Sequence, residues 1–189
     1  MQYLTVGTDE IYQSKFRPVG NRTDSIKPTG GLWLTKYYNR CNNDWVNYLL
    51  ENPDTLYSKT DGEDIYVQPC SLVTLKDNSF IYMLRDDISY RFLMNCYSDV
   101  HEKLSFERLS LDFDGMFIDL SSLKDNMNGL IPFQMLDEYS VDTLILFNLD
   151  CIDYYQSGKV IIDYDPSSIY DIDVSDYEIK VDNVRKRVK

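Results

Sequence analysis

The sequence contains a single histidine, His101, and this limits the catalysis that the chain can support. A serine or cysteine nucleophile that relies on an imidazole base would have to use this residue. No Gly-x-Ser-x-Gly segment marks such a nucleophile, and His101 lies in a charged, helix-like stretch between Asp99 and Glu102. We therefore predict a solvated surface histidine. The alternative is a Cys–His nucleophile pair, for which no local motif is present.

Cysteines are few and widely separated. The four residues, Cys41, Cys70, Cys96 and Cys151, include no Cys-x-x-Cys pair. Together with one histidine they offer no spacing typical of a zinc site. The sequence predicts four reduced, mostly buried thiols and no metal site, as is usual for a cytosolic protein.

Basic residues are in the minority. Lysine and arginine number 19 against 31 aspartates and glutamates, which gives a net charge of −12. Contacts with nucleic-acid phosphates need clustered lysine and arginine, so direct nucleic-acid binding is not expected. The charge suits a soluble protein that stays monomeric, or one that binds a basic protein partner.

Long apolar runs, a secretory leader and nucleotide-binding loops are also missing. No stretch approaches the length of a membrane span, and no charged-then-apolar signal opens the chain. We expect a cytoplasmic protein with no membrane partner. The phosphate-binding Gly-x-x-x-x-Gly-Lys and Gly-x-Gly-x-x-Gly loops are absent as well.

The composition that remains is that of a globular protein. Hydrophobic residues make up 43% of the 189 residues, and 16 residues are tyrosines. Many short strand-like segments with two or three helices between them predict an α+β fold with a mixed or mostly antiparallel sheet. We expect a single domain over residues 1–164, followed by an acidic C-terminal extension, residues 165–189, whose short basic tail frays.

Turn and capping residues predict how several elements begin and end. The clearest hairpin joins residues 65–75 to Phe80–Leu84 through the turn Lys76–Ser79. Asn43 and Asp86 are each expected to cap a helix. In the helix after Asp86, four residues are predicted to share one face: Ile88, Phe92, Leu93 and Cys96.

The stretch Lys27–Thr35 combines a proline and two glycines with a short strand-like segment that contains Trp33. Paired glycines let a backbone approach a ligand or another backbone closely, because no Cβ is in the way. Gly30 and Gly31 therefore form either a ligand cradle or only a tight turn. Trp33 lies either in a pocket or in the core.

The order of the N-terminal segments resembles that of a known family. A strand that ends in Val6-Gly7-Thr8 is followed by Gly30-Gly31-Leu32-Trp33-Leu34-Thr35 and then by a helix. This resembles the N-terminal half of the ADP-ribosyltransferase fold. That family carries a His-Gly-Thr-like strand end and, later, a Gly-(Leu/Ile)-(Tyr/Trp)-x-(Thr/Ser/Ala) strand. The resemblance covers about the first fifty residues, and Val6 stands where a histidine is usual.

The resemblance implies an α+β fold of the ADP-ribosyltransferase kind, with NAD as substrate. In such enzymes the two strands form the nicotinamide pocket, the strand-end backbone holds the carboxamide and an aromatic residue stacks on the ring. ADP-ribose then passes to a protein or other macromolecular target, or NAD is hydrolysed. The implied NAD-binding residues are Gly7, Thr8, Gly31, Leu32, Trp33 and Thr35.

An acid later in the chain is expected to contact the ribose. Cleavage of the bond between nicotinamide and ribose passes through an oxocarbenium-like state. A nearby carboxylate therefore stabilises the developing positive charge. The first choices are Asp114, in Asp112-Phe113-Asp114-Gly115, and Asp119 on the strand that follows; Asp150 is the next. These enzymes usually carry a glutamate here. Asp112, Asp114 and Asp119 can instead serve a cation site or a simple turn, and the turn is favoured because Asp and Gly start turns.

The acidic, tyrosine-bearing segment Asp163–Glu178 suggests a different class of function. Spaced carboxylates can imitate phosphates and occupy the basic groove of a nucleic-acid enzyme. The alternative hypothesis is therefore a non-enzymatic acidic interaction or inhibitor protein that binds a basic, nucleic-acid-binding partner. Such binding would depend strongly on salt.

Overall fold

The computed structural model describes residues 1–23, 25–52, 65–99, 103–126, 138–163 and 177–189. His101 and most of the acidic segment, residues 164–176, lie outside these ranges. The described strands are β1 (Gln2–Val6), β2 (Leu32–Lys36), β3 (Ile65–Leu75), β4 (Ile81–Leu84), β5 (Gly115–Ile118), β6 (Thr143–Leu146), β7 (Ile152–Asp163) and β8 (Tyr177–Val181). The described helices are α1 (Asp44–Glu51), α2 (Asp87–Tyr97), α3 (Phe106–Leu109), α4 (Leu120–Asp125) and the short 3-10 helix Gln13–Lys15.

These elements confirm the predicted α+β class, and the sheet pairings are mixed. Strand β4 pairs with β5 in parallel, whereas the pairs β1–β2, β1–β3, β3–β7, β5–β6 and β7–β8 are antiparallel. None of the described helices is long and apolar enough to cross a membrane.

The chain divides into two compact units. Unit 1 contains Met1–Gln13, Leu34–Leu75 and Ile152–Lys189, and unit 2 contains Ser14–Trp33 and Lys76–Cys151. Strand β8 belongs to unit 1 and pairs with β7, so the described residues after residue 176 continue a sheet.

Unit 1 is built on five antiparallel strands in the order β2-β1-β3-β7-β8. The long strands β3 and β7 pair along almost their whole length, from Ile65 opposite Asp163 to Leu75 opposite Ile152. Helix α1 packs its apolar side on this sheet. The buried core of the unit consists of Leu4, Val46, Leu50, Cys70, Leu72, Val160, Ile162, Tyr177 and Ile179.

Unit 2 is built on β4, β5 and β6, with β5 between the other two. Every residue of β5 and β6 is buried, as expected for a central strand and its neighbour inside a hydrophobic core. The largest cluster of buried apolar residues includes Leu84, Leu93, Leu109, Met116, Ile118, Leu123, Tyr139, Ile145 and Phe147.

The predicted hairpin between residues 65–75 and Phe80–Leu84 is wrong. Strand β3 already has both edges occupied, by β1 and by β7, and β4 pairs with β5 instead. The turn Lys76–Ser79 does exist, since the Ser79 N–H donates to the Lys76 carbonyl at 3.1 Å. The turn is therefore present, but the two segments that it connects pair with other strands and not with each other.

Both predicted helix caps are confirmed, but the predicted apolar face of α2 is wrong. Asn43 caps α1, and Asp86 caps α2 through a reciprocal bond with Ser89. On α2, Leu93 is fully buried, whereas Ile88 is 80% exposed and Phe92 is 48% exposed. Cys96 is exposed as well. Ile88, Phe92 and Cys96 lie four residues apart and share the side of α2 that is exposed, whereas Leu93 lies about 140° around the helix from Ile88 and is buried.

The basic C-terminal tail does not fray as predicted. The backbones of Lys186 and Tyr155 exchange two hydrogen bonds, at 2.8 and 2.9 Å, and the Lys189 N–H donates to the Ile11 carbonyl at 3.1 Å. The Glu10 carboxylate accepts from Lys186 Nζ at 3.0 Å and also from Lys189 Nζ. Two cations on one carboxylate thus hold the tail against the N-terminal segment of the same unit.

This arrangement predicts that Glu10 makes stability depend on pH. Hydrogen bonds from Lys189 and Lys186 lower the pKa of Glu10 from 4.5 to about 2. A carboxyl group whose pKa falls on folding stabilises the protein above its unfolded pKa, and that contribution is lost as pH falls through the folded value. Urea unfolding midpoints should therefore show wild type above Glu10→Gln at neutral pH, with the gap closing between about pH 4.5 and pH 2.

The side chains of Glu10, Lys186 and Lys189 are all partly exposed. High salt should therefore also reduce the difference in urea midpoint between wild type and Glu10→Gln. Glu51→Gln, which changes an exposed carboxylate at the end of α1, is the matched control and should follow wild type. Parallel pH profiles for wild type and Glu10→Gln would contradict the assignment.

Candidate functional site

The Gly30–Gly31 turn is packed against the protein's own backbone. Both glycines have positive φ, 68° and 72°, and the Gly31 N–H donates to the Arg17 carbonyl at 2.8 Å. A Cβ added to Gly31 would lie 2.9 Å from Ile145 Cγ2 and 3.0 Å from the Leu146 carbonyl oxygen. The two glycines therefore let unit 2 close tightly around this turn, and the space beside them is filled by protein.

Trp33 follows this turn at the start of β2 and lies in an aromatic contact. Its indole N–H donates to the Gly30 carbonyl at 2.9 Å, and its ring stacks on Tyr139 at a centroid distance of 6.1 Å. The Lys27 ammonium lies 5.4 Å from the centre of the Tyr139 ring. Trp33 is only partly buried, and so is Leu32 beside it. The predicted aromatic residue thus keeps some accessible surface.

Glu138 joins the same cluster in unit 2. Its carboxylate accepts from the Ser25 hydroxyl and from the Ile26 backbone N–H, the latter at 3.3 Å. Burial alone would raise the pKa of Glu138, but hydrogen bonds from Ser25 and from the Ile26 and Lys27 backbones outweigh it and lower that pKa. Glu138 is therefore an ionised carboxylate held beside the loop that leads to Trp33.

The neighbouring Tyr139 carries an unusual polar group. Its side chain is 2% exposed, and its hydroxyl is buried with no hydrogen-bond partner among the residues that the structure describes. Burial, with a smaller contribution from the Glu138 charge, raises the pKa of Tyr139. Buried polar groups in proteins are normally hydrogen-bonded, so this hydroxyl has unmet bonding capacity in the cluster that contains Trp33.

Sequence reasoning missed Glu138. It lies far along the chain from Ser25 and Trp33, and no spacing relates it to them. The only local signal is a glutamate directly before a tyrosine, which is too common to select it. Folding alone brings this carboxylate to the Trp33 segment.

Gly7 and Thr8 lie in unit 1, directly after β1. Gly7 has φ 100°, its N–H donates to the Pro69 carbonyl at 2.7 Å, and no atom lies within 4 Å of the position a Cβ would occupy. The Thr8 carbonyl accepts from the Ser71 hydroxyl at 2.9 Å. This strand end is thus anchored to β3, and the open space in front of Gly7 is available to a ligand.

A cleft of about 400 Å³ in unit 1 adjoins this strand end. Its lining includes Pro69, which receives the Gly7 hydrogen bond, and charged side chains of both signs. The lining residues are Asp9, Val67, Pro69, Ser157, Gly158, Lys159, Lys180, Val181 and Asp182. Small polar ligands commonly bind in clefts of this size.

Thr35, the last of the predicted NAD-binding residues, is fully buried in unit 1. Its hydroxyl is bonded to both polar atoms of the Asn43 side chain, at 3.2 Å to Oδ1 and 3.1 Å to Nδ2. The hydroxyl is therefore used to join β2 to the start of α1.

The three predicted acids all lie in unit 2, in different settings. Asp114 accepts from the Phe80 N–H at 2.9 Å and from Asn148 Nδ2 at 2.8 Å. Asp119 caps α4 and accepts from the Ser122 N–H at 3.0 Å. Asp150 is exposed, and its backbone N–H donates to Asn148 Oδ1 at 3.0 Å. The first two carboxylates therefore stabilise a turn and a helix start.

The thiols and acids give no sign of other chemistry. All four cysteines are free; Cys70 and Cys151 are buried, whereas Cys41 and Cys96 are exposed. Burial, with nearby carboxylates adding to it, raises the pKa of both buried thiols to about 12, so neither is a thiolate at neutral pH. Within the described ranges, no group of three or more His, Cys, Asp or Glu side chains could hold a metal ion.

Comparison of the chain with protein-family models, with curated proteins and with solved structures found no match.

Proposed function

We propose that the chain is an ADP-ribosyltransferase-like domain that binds NAD and cleaves the bond between nicotinamide and ribose. The observation that carries the proposal is the antiparallel pairing of β1 with β2, in which Leu4 lies opposite Thr35. One strand leads into Gly7–Thr8, and the other holds Trp33 and Thr35. The two strands that follow the order of the resemblance are therefore paired with each other within unit 1, through Leu4 and Thr35.

The Trp33 side chain fits the chemistry of NAD. The partly exposed Trp33 ring of unit 2 suits stacking on nicotinamide. NAD bound here would supply a good leaving group, and ADP-ribose would pass to a macromolecule or to water.

We assign the carboxylate role to Glu138 ahead of the three aspartates. Developing positive charge on the ribose is stabilised by a fixed, ionised carboxylate. Glu138 is ionised, is held by Ser25 and Ile26, and lies next to Tyr139, on which Trp33 stacks. The Asp114 carboxylate already accepts from the Phe80 N–H and from Asn148 Nδ2, and the Asp119 carboxylate accepts from the Ser122 N–H and the Ser121 hydroxyl. Asp150 remains the alternative acid.

The test is release of nicotinamide from NAD, with Glu138→Gln as the deciding variant. The glutamine carbonyl can still accept from Ser25, so the loop should keep its shape while the negative charge is lost. We expect nicotinamide release to fall by about 100-fold or more. NAD binding, followed through Trp33 fluorescence in a Trp45→Phe background, should change much less.

Glu107→Gln is the matched control, because Glu107 is an exposed glutamate on α3 of the same unit. It should keep wild-type turnover. Wild-type protein that neither binds NAD nor releases nicotinamide would refute the proposal. Equal turnover by wild type and Glu138→Gln would transfer the carboxylate role to Asp150, to be tested by Asp150→Asn.

A second candidate is the non-enzymatic acidic protein that binds a basic partner. It is favoured by the structural use of the Asp114 and Asp119 carboxylates, and by the net charge of −12. Proteins of this kind associate through long-range attraction that salt screens. A synthetic arginine-rich peptide should therefore bind at low salt and be released at high salt, whereas binding that ignores salt would argue against this function.

A further inference from the structure

Five aromatic side chains of unit 2 form a connected cluster, which we call the aromatic patch: Phe80, Tyr82, Phe92, Tyr97 and Phe113. Phe80 stacks on Phe113 with ring centroids 5.0 Å apart and planes 3° from parallel. Tyr82 contacts both Phe113, edge to face at 5.2 Å, and Phe92, stacked at 5.9 Å. Tyr97 completes the cluster against Phe92 and Phe113. Strand β4, helix α2 and the segment before β5 thus present one aromatic surface.

Two of the five rings of the aromatic patch are exposed to solvent. Phe80 is 62% exposed and Phe92 is 48% exposed. Three aliphatic side chains from the same part of the sequence are exposed as well. They are Met83 of β4 at 43%, Ile88 of α2 at 80% and Leu111, shortly after α3, at 83%. Within the described residues, most of the large hydrophobic side chains left exposed come from this region of the chain. Concentrated apolar exposure of this kind marks an interaction site.

Carboxylates lie directly beside these rings. Asp112 is exposed and accepts from the Tyr97 hydroxyl at 2.8 Å. Asp86, whose side chain is 36% exposed, caps α2 just before Ile88. Its ion pair with Arg85 is long, at 3.8 Å, and Arg91 is an exposed cation on α2. Unit 2 as a whole carries 15 acidic against 10 basic residues.

We propose that the aromatic patch docks a basic segment of a partner protein, with arginine side chains stacked on Phe80 and Phe92 and paired with Asp86 and Asp112. Guanidinium groups both stack on aromatic faces and bind carboxylates in a planar fork, so rings beside acids fit them better than they fit lysine. A second copy of this chain is a poor occupant, because two surfaces of net negative charge repel. The proposal rests on the second candidate function, in which the partner is basic. It does not depend on NAD binding.

The experiment titrates the isotope-labelled protein with a synthetic peptide that alternates arginine and serine, and follows amide shifts. We expect the largest shifts in α2, β4 and the segment before β5. Phe92→Ala and Phe80→Ala should each weaken binding by about fivefold or more, as loss of a stacked ring does at an interface. Asp112→Asn should also weaken peptide binding, most clearly at low salt. Arg91→Ala removes a positive charge and should not weaken peptide binding.

Val184→Ala is the matched control, since Val184 is a 63% exposed apolar residue of unit 1. It should bind the peptide as wild type does. Wild-type binding that Phe80→Ala and Phe92→Ala leave unchanged would overturn the docking surface alone. If wild type does not bind the peptide at all, both the docking surface and the second candidate function are overturned. A dimer that Phe92→Ala dissociates would make a second copy the occupant and would also overturn the proposal.

Discussion

Gly30→Ala is expected to unfold unit 2, or to lower its free energy of unfolding by about 4 kcal/mol. Gly30 has φ 68°, where an added Cβ is strained. That Cβ would also lie 2.6 Å from the Arg17 carbonyl oxygen and closer still to the Pro18 carbonyl oxygen. Both obstacles are backbone atoms, which cannot rotate aside as a side chain can. Urea unfolding followed through Trp33 fluorescence in a Trp45→Phe background would measure the loss.

Gly7→Ala provides the comparison for this prediction. Gly7 also has a positive φ, 100°, but nothing lies within 4 Å of its Cβ position. Only backbone strain remains there, which costs about 1–2 kcal/mol. Unfolding monitored by circular dichroism should rank Gly30→Ala well below Gly7→Ala. Equal losses would mean that the Gly30 turn is looser than its contacts indicate.

The contrast between these glycines shows what the sequence could and could not predict about the candidate site. A Gly-Gly pair before a strand correctly indicated a sharp turn with close approach. It could not indicate what approaches, because the Arg17 and Ile145 atoms that fill the space come from other parts of the chain. Conversely, the resemblance implied that the Gly7 backbone contacts a ligand, but the open space in front of Gly7 is a property of the fold.

The acids show the same division between local and long-range information. Asp119 was predicted to lie on the strand after Gly115, but β5 ends at Ile118 and Asp119 caps α4 by accepting from the Ser122 N–H. Glu138 carried no motif, yet it reaches Ser25 and Ile26 across the sequence. Capping depends on residues three positions apart and can be predicted from sequence. The pairing of Glu138 with a distant loop depends on the topology of unit 2.

Pairing and burial were the least predictable features of the fold. The run of residues 65–75 was correctly predicted as a strand, but its neighbours β1 and β7 are far away in sequence. On α2, the exposed Ile88 and Phe92 reproduce an amphipathic pattern whose apolar side does not face the core of unit 2. A periodic pattern indicates that a face is apolar and leaves open what covers it. That ambiguity is the basis for proposing a partner at the aromatic patch.

Asn43→Ala is expected to destabilise unit 1 by about 3 kcal/mol, far more than the loss of an ordinary helix cap. Asn43 is fully buried, and its Oδ1 accepts from the Trp45 and Val46 N–H groups that begin α1. Its Nδ2 donates to the Lys36 carbonyl at 2.8 Å and also contacts the Thr35 hydroxyl. Alanine would remove the hydrogen bonds that the Asn43 side chain makes to these groups, among them the fully buried Thr35 hydroxyl. Each buried group that loses its partner costs about 1–3 kcal/mol.

Asp86→Ala separates the cap from the buried network, because Asp86 caps α2 at a partly exposed position, where its carboxylate accepts from the Ser89 N–H at 2.8 Å. That variant should lose about 1 kcal/mol. Asn43→Ser should fall between the two, since serine can cap the helix but cannot donate to Lys36. Urea unfolding read through Trp45 in a Trp33→Phe background reports on unit 1 for both Asn43 variants, and circular dichroism ranks all three. Similar losses for Asn43→Ala and Asp86→Ala would show that Asn43 is only a cap. The predicted order instead makes Asn43 the residue that ties β2, and with it Thr35, to α1.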